Sequence, residues 1–583
     1  MRRSLTPLML GLLITIAGIF AQAASAGAAG GGSLAPLNPE FAAYMKQKAK
    51  GLLPLTSTPG GHGLGYIPSP VDWSHLKTQR TLLGASMLQT FPPSYDLRTL
   101  NKLTPVRNQG SCGDCWAFGT FGSLESALMP GESDDFSENN LKNLSGFDLS
   151  PCSGGTYDMS TAYLVRWDGP VSEAADPYDP VDYNTSPSGL APVKHVQDVV
   201  ILPARTGPTD NNIIKNAVMT WGAVGTSIYA SNGMAGSYND GFYNPVNYSY
   251  YYSGNSLANH AVDIIGWDDN YPAANFSTLP QGNGAFIVRN SWGTSWGDNG
   301  YFYVSYYDTA FAMSENYVFD DGEATSNYSR IYQYDPLGAT EYCGYGTNTA
   351  WFKNVFTAAS SENLTAVGFY APAINTAYDI YVFPDNATLA LHQQGTITNA
   401  GYYTIALSSP VLLTSGVNFS IEIKLTTPGY NYPVAIEYPL SGYSSSATAS
   451  PGQSYISPDG TTWTDMTTIY PNTNVCLKAY TGSGGASSWN IAGTGDFNGD
   501  LKKDILLRDP STGAVDMWLM NGTSMSSWAT VYPGGDPNWT IAGTGDFNGD
   551  GKADILWRNT STGQVTMWLM NGTAMSSWAT VLN

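Results

Sequence analysis

The sequence predicts an α+β region followed by all-β regions in one multidomain chain. The chain has 583 residues, enough for about three or four domains at roughly 150 residues each. From Phe91 to about Phe319 helical and strand-like patterns are mixed, whereas residues 325–480 are strand-like throughout. The segments that begin at Asn490 and Thr540 then repeat each other about 50 residues apart, a period typical of stacked supersecondary units.

The composition agrees with a folded, strand-rich protein and excludes several classes of function. Hydrophobic residues make up 42% of the chain and charged residues only 12%, with 63 Gly, 35 Pro and 38 Tyr, a balance that favours strands and turns. The formal net charge of -21 excludes broad electrostatic binding to nucleic acid or anionic lipid. The abundant aromatic residues argue against a disordered chain.

The N-terminus has the layout of a secretory signal peptide. Arg2 and Arg3 precede an apolar run over residues 8–20, which is followed by small-residue cleavage sites that end at Ala23 and Ala26. The alternative is a membrane anchor, but the run is too short to span a bilayer comfortably. We therefore expect residues 1–26 to be removed by cleavage near Ala23 or Ala26, and the mature protein to be secreted without a membrane span.

Three separated blocks between residues 91 and 320 carry candidate catalytic chemistry. They are PVRNQGSCGDCWAF at 105–118, NHAVDIIGW at 259–267 and FIVRNSWGTSWG at 286–297. Cys115 opens an apolar stretch that ends before Pro130, which predicts a helix with Cys115 at its N-terminus. The helix dipole stabilises a thiolate there, and the thiolate is the nucleophilic form. The chain has no second Cys-x-x-Cys motif and no His-rich segment, so zinc binding is not expected.

Taken together, the three blocks resemble the papain-like cysteine peptidases. The resemblance implies an α+β papain-like fold over residues 91–320, with a helical half and a β-barrel half. It further implies that Cys115 is the nucleophile, that His260 is the general acid and base, and that Asn290 orients the imidazole.

The resemblance extends to residues around these three. Gln109 matches the side-chain donor of the oxyanion hole, where the backbone N–H of Cys115 supplies the second donor. Trp292 matches the ring that shields the hydrogen bond between His260 and Asn290 from water. Gly155 matches the glycine whose backbone pairs with an extended substrate. The catalytic reaction implied is hydrolysis of protein or peptide substrates through a thioester acyl-enzyme, with no cofactor.

One position departs from the family pattern. Asp114 stands immediately before the nucleophile, where the family usually has Ser or Ala. A carboxylate beside the sulfur disfavours the thiolate, but Asp is also a preferred helix N-cap. The sequence does not decide between these two effects.

The five cysteines suggest two disulfides and one free thiol in an exported protein. Cys152 begins a Cys-x-Gly-Gly block, and the resemblance implies that it pairs with Cys112, which leaves Cys115 free. We expect Cys343 and Cys476 to pair with each other; the alternative is two unpaired buried thiols.

Residues 27–90 take the place of the family's inhibitory propeptide. The segment shows no helical pattern of the kind typical of well-known propeptides, so it is either a propeptide that keeps a zymogen inactive or a disordered spacer.

Residues 325–480 resemble the lectin-like β domain attached to some microbial papain-like peptidases. Strict alternation over residues 418–425 predicts a half-buried strand with Phe419, Ile421, Ile423 and Leu425 on one face. Exposed aromatic residues in this domain would allow glycan binding, whereas buried ones would only form a sandwich core. A small-residue linker is predicted over residues 481–487.

The tail, residues 488–583, carries two acidic loops that resemble the calcium loops of integrin-type propeller repeats of the FG-GAP type. Oxygen-bearing side chains at loop positions one, three, five and nine suit a hard cation such as calcium. Gly551 of the second loop is replaced by Leu501 in the first, which predicts backbone strain and weaker binding there. The predicted ligands are Asp496, Asn498, Asp500 and Asp504 in the first loop and Asp546, Asn548, Asp550 and Asp554 in the second.

The sequence therefore predicts a secreted papain-like cysteine endopeptidase with accessory β modules for surface, glycan or calcium binding. The alternative is an extracellular adhesion protein that uses an inactive peptidase-like scaffold. The presence of Cys115, His260, Asn290 and Gln109 together argues against that alternative, because a lapsed enzyme has no reason to keep all four.

Overall fold

The computed structural model describes residues 32–52, 56–84, 90–179, 185–236, 239–482, 490–508, 513–522, 524–532 and 538–582. The predicted signal peptide lies outside these residues, as do residues 483–487 of the predicted linker. Residues 481 and 482, which the sequence places in the linker, belong to a strand. Among the described residues, no helix has the length and apolar character needed to cross a bilayer.

The N-terminal segment (residues 32–84) is helical in part, which the sequence did not predict. Its elements are β1 (Ser33–Leu34), α1 (Pro39–Ala49) and α2 (His75–Gly84). Helix α1 begins at a proline, and the side chain of Asn38 caps it by accepting the N–H of Glu40 at 3.0 Å. The hydrophobic periodicity of α1 is weak because only Phe41 and Tyr44 of this helix are buried.

The α+β region follows, with its helices and strands intermixed. Short 3-10 helices cover Leu97–Leu100 and Ala273–Asn275. The longer elements are β2 (Ser94–Asp96), α3 (Cys115–Leu128), α4 (Glu138–Asn143), α5 (Tyr157–Val165), β3 (Lys194–Leu202), α6 (Asn212–Thr220), β4 (Val224–Ile228), β5 (Tyr243–Asn244), β6 (Ser249–Tyr250), β7 (His260–Asp268), β8 (Ala285–Arg289), β9 (Tyr301–Ser305) and β10 (Asn316–Ala324).

The β region contains a single short helix among the described residues, α7 (Met466–Ile469). Its strands are β11 (Arg330–Tyr332), β12 (Glu341–Gly344), β13 (Thr349–Thr357), β14 (Glu362–Ala371), β15 (Thr376–Phe383), β16 (Leu391–Ile397), β17 (Ala400–Leu413), β18 (Asn418–Thr426), β19 (Val434–Glu437), β20 (Ser454–Ser457), β21 (Thr464–Asp465), β22 (Asn474–Val475) and β23 (Leu477–Gly482). The alternation predicted for β18 is confirmed, since all four of its predicted inward residues are fully buried.

One sheet runs from the α+β region into the β region. Within the described residues it has thirteen strands, in the order β11-β23-β14-β17-β3-β10-β4-β7-β8-β9-β6-β5, with β2 paired to β7. The junction is the antiparallel pairing of β17 with β3, where Ala400 faces Ile201 and Tyr403 faces Asp198. Backbone hydrogen bonds therefore join the two regions directly.

The N-terminal segment bridges the same two regions. Strand β1 pairs with β12, and the ring of Phe41 in α1 packs edge-on against Tyr443 at 5.2 Å. In α2, the side chain of Gln79 donates to the carbonyl of Pro428 at 2.7 Å and accepts the N–H of Ile374 at 2.9 Å. These partners all lie in the β region. Toward the α+β region, the guanidinium of Arg80 in α2 donates to the carboxylate of Asp210 and to the carbonyl of Ala204.

The predicted disulfide between Cys343 and Cys476 is wrong. Both thiols are buried and unpaired. Strands β12 and β22 lie on either side of β19 in a four-stranded sheet, but Cys343 packs into the core of the β region and Cys476 into the core shared with the α+β region. The two side chains face different cores, so a bond between them would require backbone movement.

The tail folds as two antiparallel four-stranded sheets, one for each sequence repeat. Repeat one contains β24 (Asn490–Gly495), β25 (Asp504–Arg508), β26 (Val515–Asn521) and β27 (Ser524–Tyr532). Repeat two contains β28 (Trp539–Gly545), β29 (Asp554–Asn559), β30 (Val565–Asn571) and β31 (Ala574–Leu582). The sheets share one apolar core, but the described residues form no closed propeller, so the propeller-type fold is not confirmed.

Candidate active site

Cys115 is the first residue of α3 and is fully buried. Its Sγ atom accepts a hydrogen bond from the backbone N–H of Ala261 at 3.1 Å. Because Ala261 follows His260, this contact holds the first turn of α3 against the start of β7.

His260 and Asn290 meet because their strands are antiparallel neighbours. Strand β7 begins at His260, and β8, paired with it, ends one residue before Asn290. The Nε2 atom of His260 lies 2.8 Å from Oδ1 of Asn290, which also accepts the N–H of Ser291. The other imidazole nitrogen, Nδ1, has no hydrogen-bond partner among the described residues. It is the nitrogen left to exchange a proton.

Trp292 covers this pair. Its ring stacks on His260 at 4.9 Å between centroids and is 1% exposed. The ring of His62, from the N-terminal segment, stacks on Trp292 at 4.7 Å. The indole Nε1 donates to the carbonyl of Gly63 at 2.9 Å.

Gln109 and Cys115 direct two donors at one carbonyl oxygen. The Nε2 of Gln109 and the backbone N–H of Cys115 lie 3.3 and 3.5 Å from the oxygen of Leu64. The hydroxyl of Ser291 donates to Oε1 of Gln109 at 2.6 Å, which fixes the orientation of the amide. A carbonyl of the N-terminal segment thus lies where a reacting carbonyl would be polarised.

The N-terminal segment continues across Gly155. The N–H of Gly155 donates to Gly65 at 2.9 Å, and the N–H of Ile67 donates to Gly155 at 3.0 Å, which forms a parallel bridge centred on Tyr66. A Cβ atom at Gly155 would lie 2.4 Å from the ring of Trp116, so this position requires glycine. Residues 62–67 therefore follow the cleft from Trp292 to Gly155.

Burial keeps the two candidate reacting groups uncharged in this arrangement. It raises the pKa of the Cys115 thiol well above its usual range and lowers the pKa of His260 to about 4. At neutral pH the pair is therefore a thiol and a neutral imidazole while the N-terminal segment covers it.

Asp114 does not act as a helix cap. Its side chain makes no capping hydrogen bond to α3; instead Oδ2 accepts the hydroxyl of Tyr178 at 2.8 Å and Oδ1 lies 3.4 Å from Nε2 of Gln109. Burial raises the pKa of Asp114 to about 7. When ionised, this carboxylate further raises the pKa of Cys115. The sequence left two roles open for Asp114, a helix N-cap or a charge that disfavours the thiolate, and the structure supports the second.

Cys112 and Cys152 form a disulfide. It fixes the loop before α3 to the chain that leads to Gly155, and a parallel bridge between Gly113 and Ser153 reinforces the same junction.

The acidic loops of the tail use their carboxylates within the loop itself. The carboxylate of Asp496 accepts three backbone N–H groups, from Gly499, Asp500 and Leu501. Asp504 is fully buried, and its two oxygens accept the N–H groups of Phe497 and Met520. Asp546 and Asp554 repeat this pattern in the second loop.

The predicted calcium ligands are therefore only partly available. Among the described residues, no group of three or more His, Cys, Asp and Glu side chains is arranged to hold a metal. Asp504 and Asp554 tie strands together. The oxygens of Asn498, Asp500, Asn548 and Asp550 lie in exposed loops, where each side chain accepts one backbone N–H within the loop and keeps further acceptor capacity toward solvent. Leu501 has a φ of 68°, where the second loop has Gly551 at 84°, so the expected left-handed turn is present.

Three residues of the site carry no motif signal in the sequence: Leu64, Tyr178 and Ser291. Leu64 lies in a stretch without a motif, Tyr178 reaches Asp114 from a distant loop, and Ser291 is hidden inside the third block as an ordinary polar residue. Each acts through a contact between segments far apart in the chain. The glycines on either side of Leu64 were the available hint of an extended segment that approaches another backbone closely.

The geometry agrees with comparisons to protein-family models. Residues 91–319 match the model described as papain family cysteine protease. Residues 91–319 are a papain-family cysteine protease domain. The lectin-like domain model matches residues 331–481, and the FG-GAP-like repeat model matches residues 496–557, so both accessory modules expected from the sequence are confirmed as family matches.

The protease domain has many curated relatives. Cathepsin J of Mus musculus is 31% identical over 223 residues, which cover 36% of this chain and 60% of that protein. Cysteine proteinase 2 of Dictyostelium discoideum is 31% identical over 259 residues, which cover 39% of this chain and 66% of that protein. The chain thus spans less than two thirds of the length of these relatives.

Among solved structures, the chain resembles the cysteine protease and lectin-like domains of Cwp84, a surface layer associated protein of Clostridium difficile. The TM-score is 0.65 at 26% identity, over 78% of this chain and 98% of that chain. A structure of Cwp84 after propeptide cleavage gives a TM-score of 0.57 at 27% identity, over 67% of this chain and 99% of that chain. The protease domain therefore has the papain-like fold with an adjoining lectin-like domain.

Proposed function

We propose that the protein is a secreted cysteine endopeptidase that is made as an inactive precursor. The observation that carries the proposal is the oxygen of Leu64, which accepts from both Gln109 and the N–H of Cys115. A peptide carbonyl held by two such donors beside a thiol is what an acyl-transfer site requires.

Cys115 is the nucleophile in this mechanism. Its sulfur attacks the carbonyl carbon of the scissile peptide bond, and the carbonyl electrons move to the oxygen held by Gln109 and the N–H of Cys115. When the tetrahedral intermediate collapses, the carbon–nitrogen bond breaks and a thioester remains. Water then attacks the thioester and releases the acid and the free thiol. These steps require no metal or organic cofactor.

His260 transfers the protons. As imidazolium it donates one to the departing amine, and as neutral imidazole it then accepts one from the attacking water. Asn290 holds Nε2, which leaves Nδ1 to face the reaction, and Trp292 excludes water from the His260–Asn290 hydrogen bond. Gly155 pairs with the substrate backbone, as it pairs with the N-terminal segment in the precursor.

The N-terminal segment acts as the inhibitor. Residues 62–67 cover the catalytic groups. Helix α1 is anchored to the β region and α2 to both neighbouring regions, which lowers the entropic cost of keeping residues 62–67 in the cleft. The similar protein Cwp84 has a structure determined after propeptide cleavage, so a protease with this domain arrangement carries a propeptide, which supports the same role for the N-terminal segment.

The direct test compares two histidines and the thiol in the processed protein. Cys115→Ala and His260→Ala should each reduce peptide hydrolysis by at least about a thousandfold without unfolding the domain. His195→Ala is the matched control, because His195 stacks on Trp167 at 3.7 Å and bonds Asn327, away from the cleft. Activity retained by Cys115→Ala, or lost in His195→Ala alone, would refute the mechanism. If the intact fold bound partners but never hydrolysed peptides, the adhesion alternative would stand.

We further propose that the exposed oxygens of the two acidic loops bind calcium weakly. Asn498 and Asp500 in the first loop, and Asn548 and Asp550 in the second, present side-chain oxygens at the surface, and oxygen is the ligand atom that calcium prefers. Calcium titration of the full chain should show an Asp550→Ala variant losing more bound metal than Asp500→Ala, because Gly551 takes the turn that strains Leu501. Absence of any binding at millimolar calcium would refute this assignment.

Glycan binding by the lectin-like domain remains a separate proposal. Its described phenylalanines at 352, 356, 369 and 419 lie in the core, which favours a packing role for them. A glycan array probed with the processed protein and with its Trp578→Ala variant, which alters an exposed aromatic residue of the tail, would test it. Binding that persists in the variant would support a site in the lectin-like domain, and uniform absence of binding would reject it.

A further inference from the structure

A cavity of about 330 Å³ opens at the junction of the two repeats. Each strand of repeat two contributes one tryptophan to its lining, and the last strand of repeat one contributes a tyrosine: Trp539, Trp557, Trp568, Trp578 and Tyr532. The rings contact one another in the wall, with Trp557 and Trp568 at 5.0 Å and Tyr532 and Trp568 at 5.6 Å. The volume lies in the range of small-molecule binding sites.

The open side of this cavity exposes apolar surface to water. Trp578 is 60% exposed and Met575, on the same strand, is 42% exposed. Large apolar side chains held together at a concave surface mark a binding site more often than they serve stability. The site is therefore shaped for a ligand with an apolar face.

The polar part of the lining is uncharged. Gln564, Thr566 and Thr580 supply an amide and two hydroxyls, and none of the lining residues that the structure describes is Asp, Glu, Lys or Arg. An anionic ligand would find no cation there and would meet a protein of net charge -21. A cationic ligand would find no carboxylate among the described lining residues, so contact with the aromatic ring faces alone would hold it. The lining matches a neutral molecule that combines hydroxyl groups with an apolar face.

We propose that the junction cavity binds a neutral carbohydrate. A sugar ring presents its C–H face to an aromatic ring and its hydroxyls to amide and hydroxyl side chains. Trp578 is the stacking platform, because it is 60% exposed, whereas the other four rings are buried or half-buried. The ligand would tether the protease to glycan-bearing material by a module outside the lectin-like domain.

Repeat one provides an internal control. Trp528 and Trp518 occupy the positions of Trp578 and Trp568 and are 57% and 37% exposed. However, Leu507 stands in place of Trp557 and Asp516 in place of Thr566, so the aromatic wall is incomplete and the floor carries a carboxylate. Trp528 and Trp578 are therefore similarly exposed, but only Trp578 lies beside a complete aromatic wall.

The experiment measures binding of a panel of neutral methyl glycosides to the full chain by saturation-transfer NMR and calorimetry at millimolar concentration. At least one glycoside should bind saturably, Trp578→Ala should weaken it at least about tenfold, and Trp578→Phe should retain part of the affinity. Trp528→Ala should bind like the unsubstituted protein. Both positions are exposed, so the variants should fold, and peptide turnover, measured alongside, should not change.

Three results would overturn the proposal. One is that no glycoside in the panel binds; another is that Trp528→Ala weakens binding as much as Trp578→Ala. The third is that a neutral aromatic dipeptide binds at this cavity and the glycosides do not, which would assign it to peptide recognition. Because peptide turnover is measured in the same samples, failure of the carbohydrate site is distinguishable from failure of the peptidase assignment.

Discussion

The catalytic cleft and the acidic loops of the repeats differ in how far along the chain the hydrogen-bond partners of their side chains lie. In the cleft, Cys115, His260 and Asn290 come from separate parts of the chain and are buried together. In the loops, Asp496 bonds to amides three to five residues away and remains at the surface. Closely spaced acidic residues therefore satisfy their own backbone first, whereas widely spaced catalytic residues depend on the fold to meet.

The largest effect that we expect is the loss of stability when a buried carboxylate of the first loop is removed, compared with an exposed carboxylate of the same loop. Asp504→Ala should destabilise repeat one by about 3 kcal/mol, because two backbone N–H groups lose a buried carboxylate acceptor. Asp500→Ala, in the exposed part of the loop, should leave stability unchanged. Hydrogen exchange of the full chain, followed at β25 and β26, measures both. Equal effects would show that burial does not separate the two carboxylates.

The next prediction concerns the pH dependence of the N-terminal segment. Burial lowers the pKa of His62 in the cleft, whereas a released His62 has its ordinary pKa of about 6.5. Protonation therefore favours release, so the docked state is fully stable above pH 6.5 and weakens as the pH falls below it, by up to about tenfold per pH unit. Precursor processing should accelerate on acidification, and His62→Gln should flatten that dependence. An unchanged profile in His62→Gln would assign the pH dependence to another group.

Asp114→Asn tests the electrostatics beside the nucleophile with a smaller effect. Above pH 7 the carboxylate is ionised and raises the pKa of Cys115, so its removal should lower the pH midpoint of thiol alkylation by about 1 unit in the processed protein. The amide can still accept from Tyr178, which keeps the local structure. A midpoint that rises instead would mean that Asp114 stabilises the thiolate.

The smallest expected effect is at the strained turn of the first loop. Leu501→Gly should stabilise repeat one by about 0.5 to 1 kcal/mol, because leucine adopts a left-handed φ of 68° at a cost that glycine does not have. Leu501 is 94% exposed, so little packing is lost. Thermal unfolding monitored by tryptophan fluorescence of the tail, with Gly551→Leu as the reverse change, would check this. Destabilisation by Leu501→Gly would show that chain entropy outweighs the strain.

The sequence alone was enough to predict elements with a local hydrophobic pattern and catalytic groups that lie in recognisable motifs. The alternation in β18 predicted its buried face, and the three motif blocks predicted which side chains would meet in the cleft. The helices of the N-terminal segment were missed because docking on the β region and the α+β region, not periodicity, stabilises them. The pairing of Cys343 with Cys476 failed because the sequence does not show which core each side chain faces.

The central claim is that Cys115 is a nucleophile kept inactive by residues 62–67. It is tested most directly by mild alkylation of the precursor and of the processed protein at pH 6, followed by peptide mass mapping. We predict that Cys115 is unlabelled in the precursor and labelled rapidly after the N-terminal segment is removed, while the buried Cys343 and Cys476 stay unlabelled in both. Rapid labelling of Cys115 in the intact precursor, or none after processing, would contradict the account.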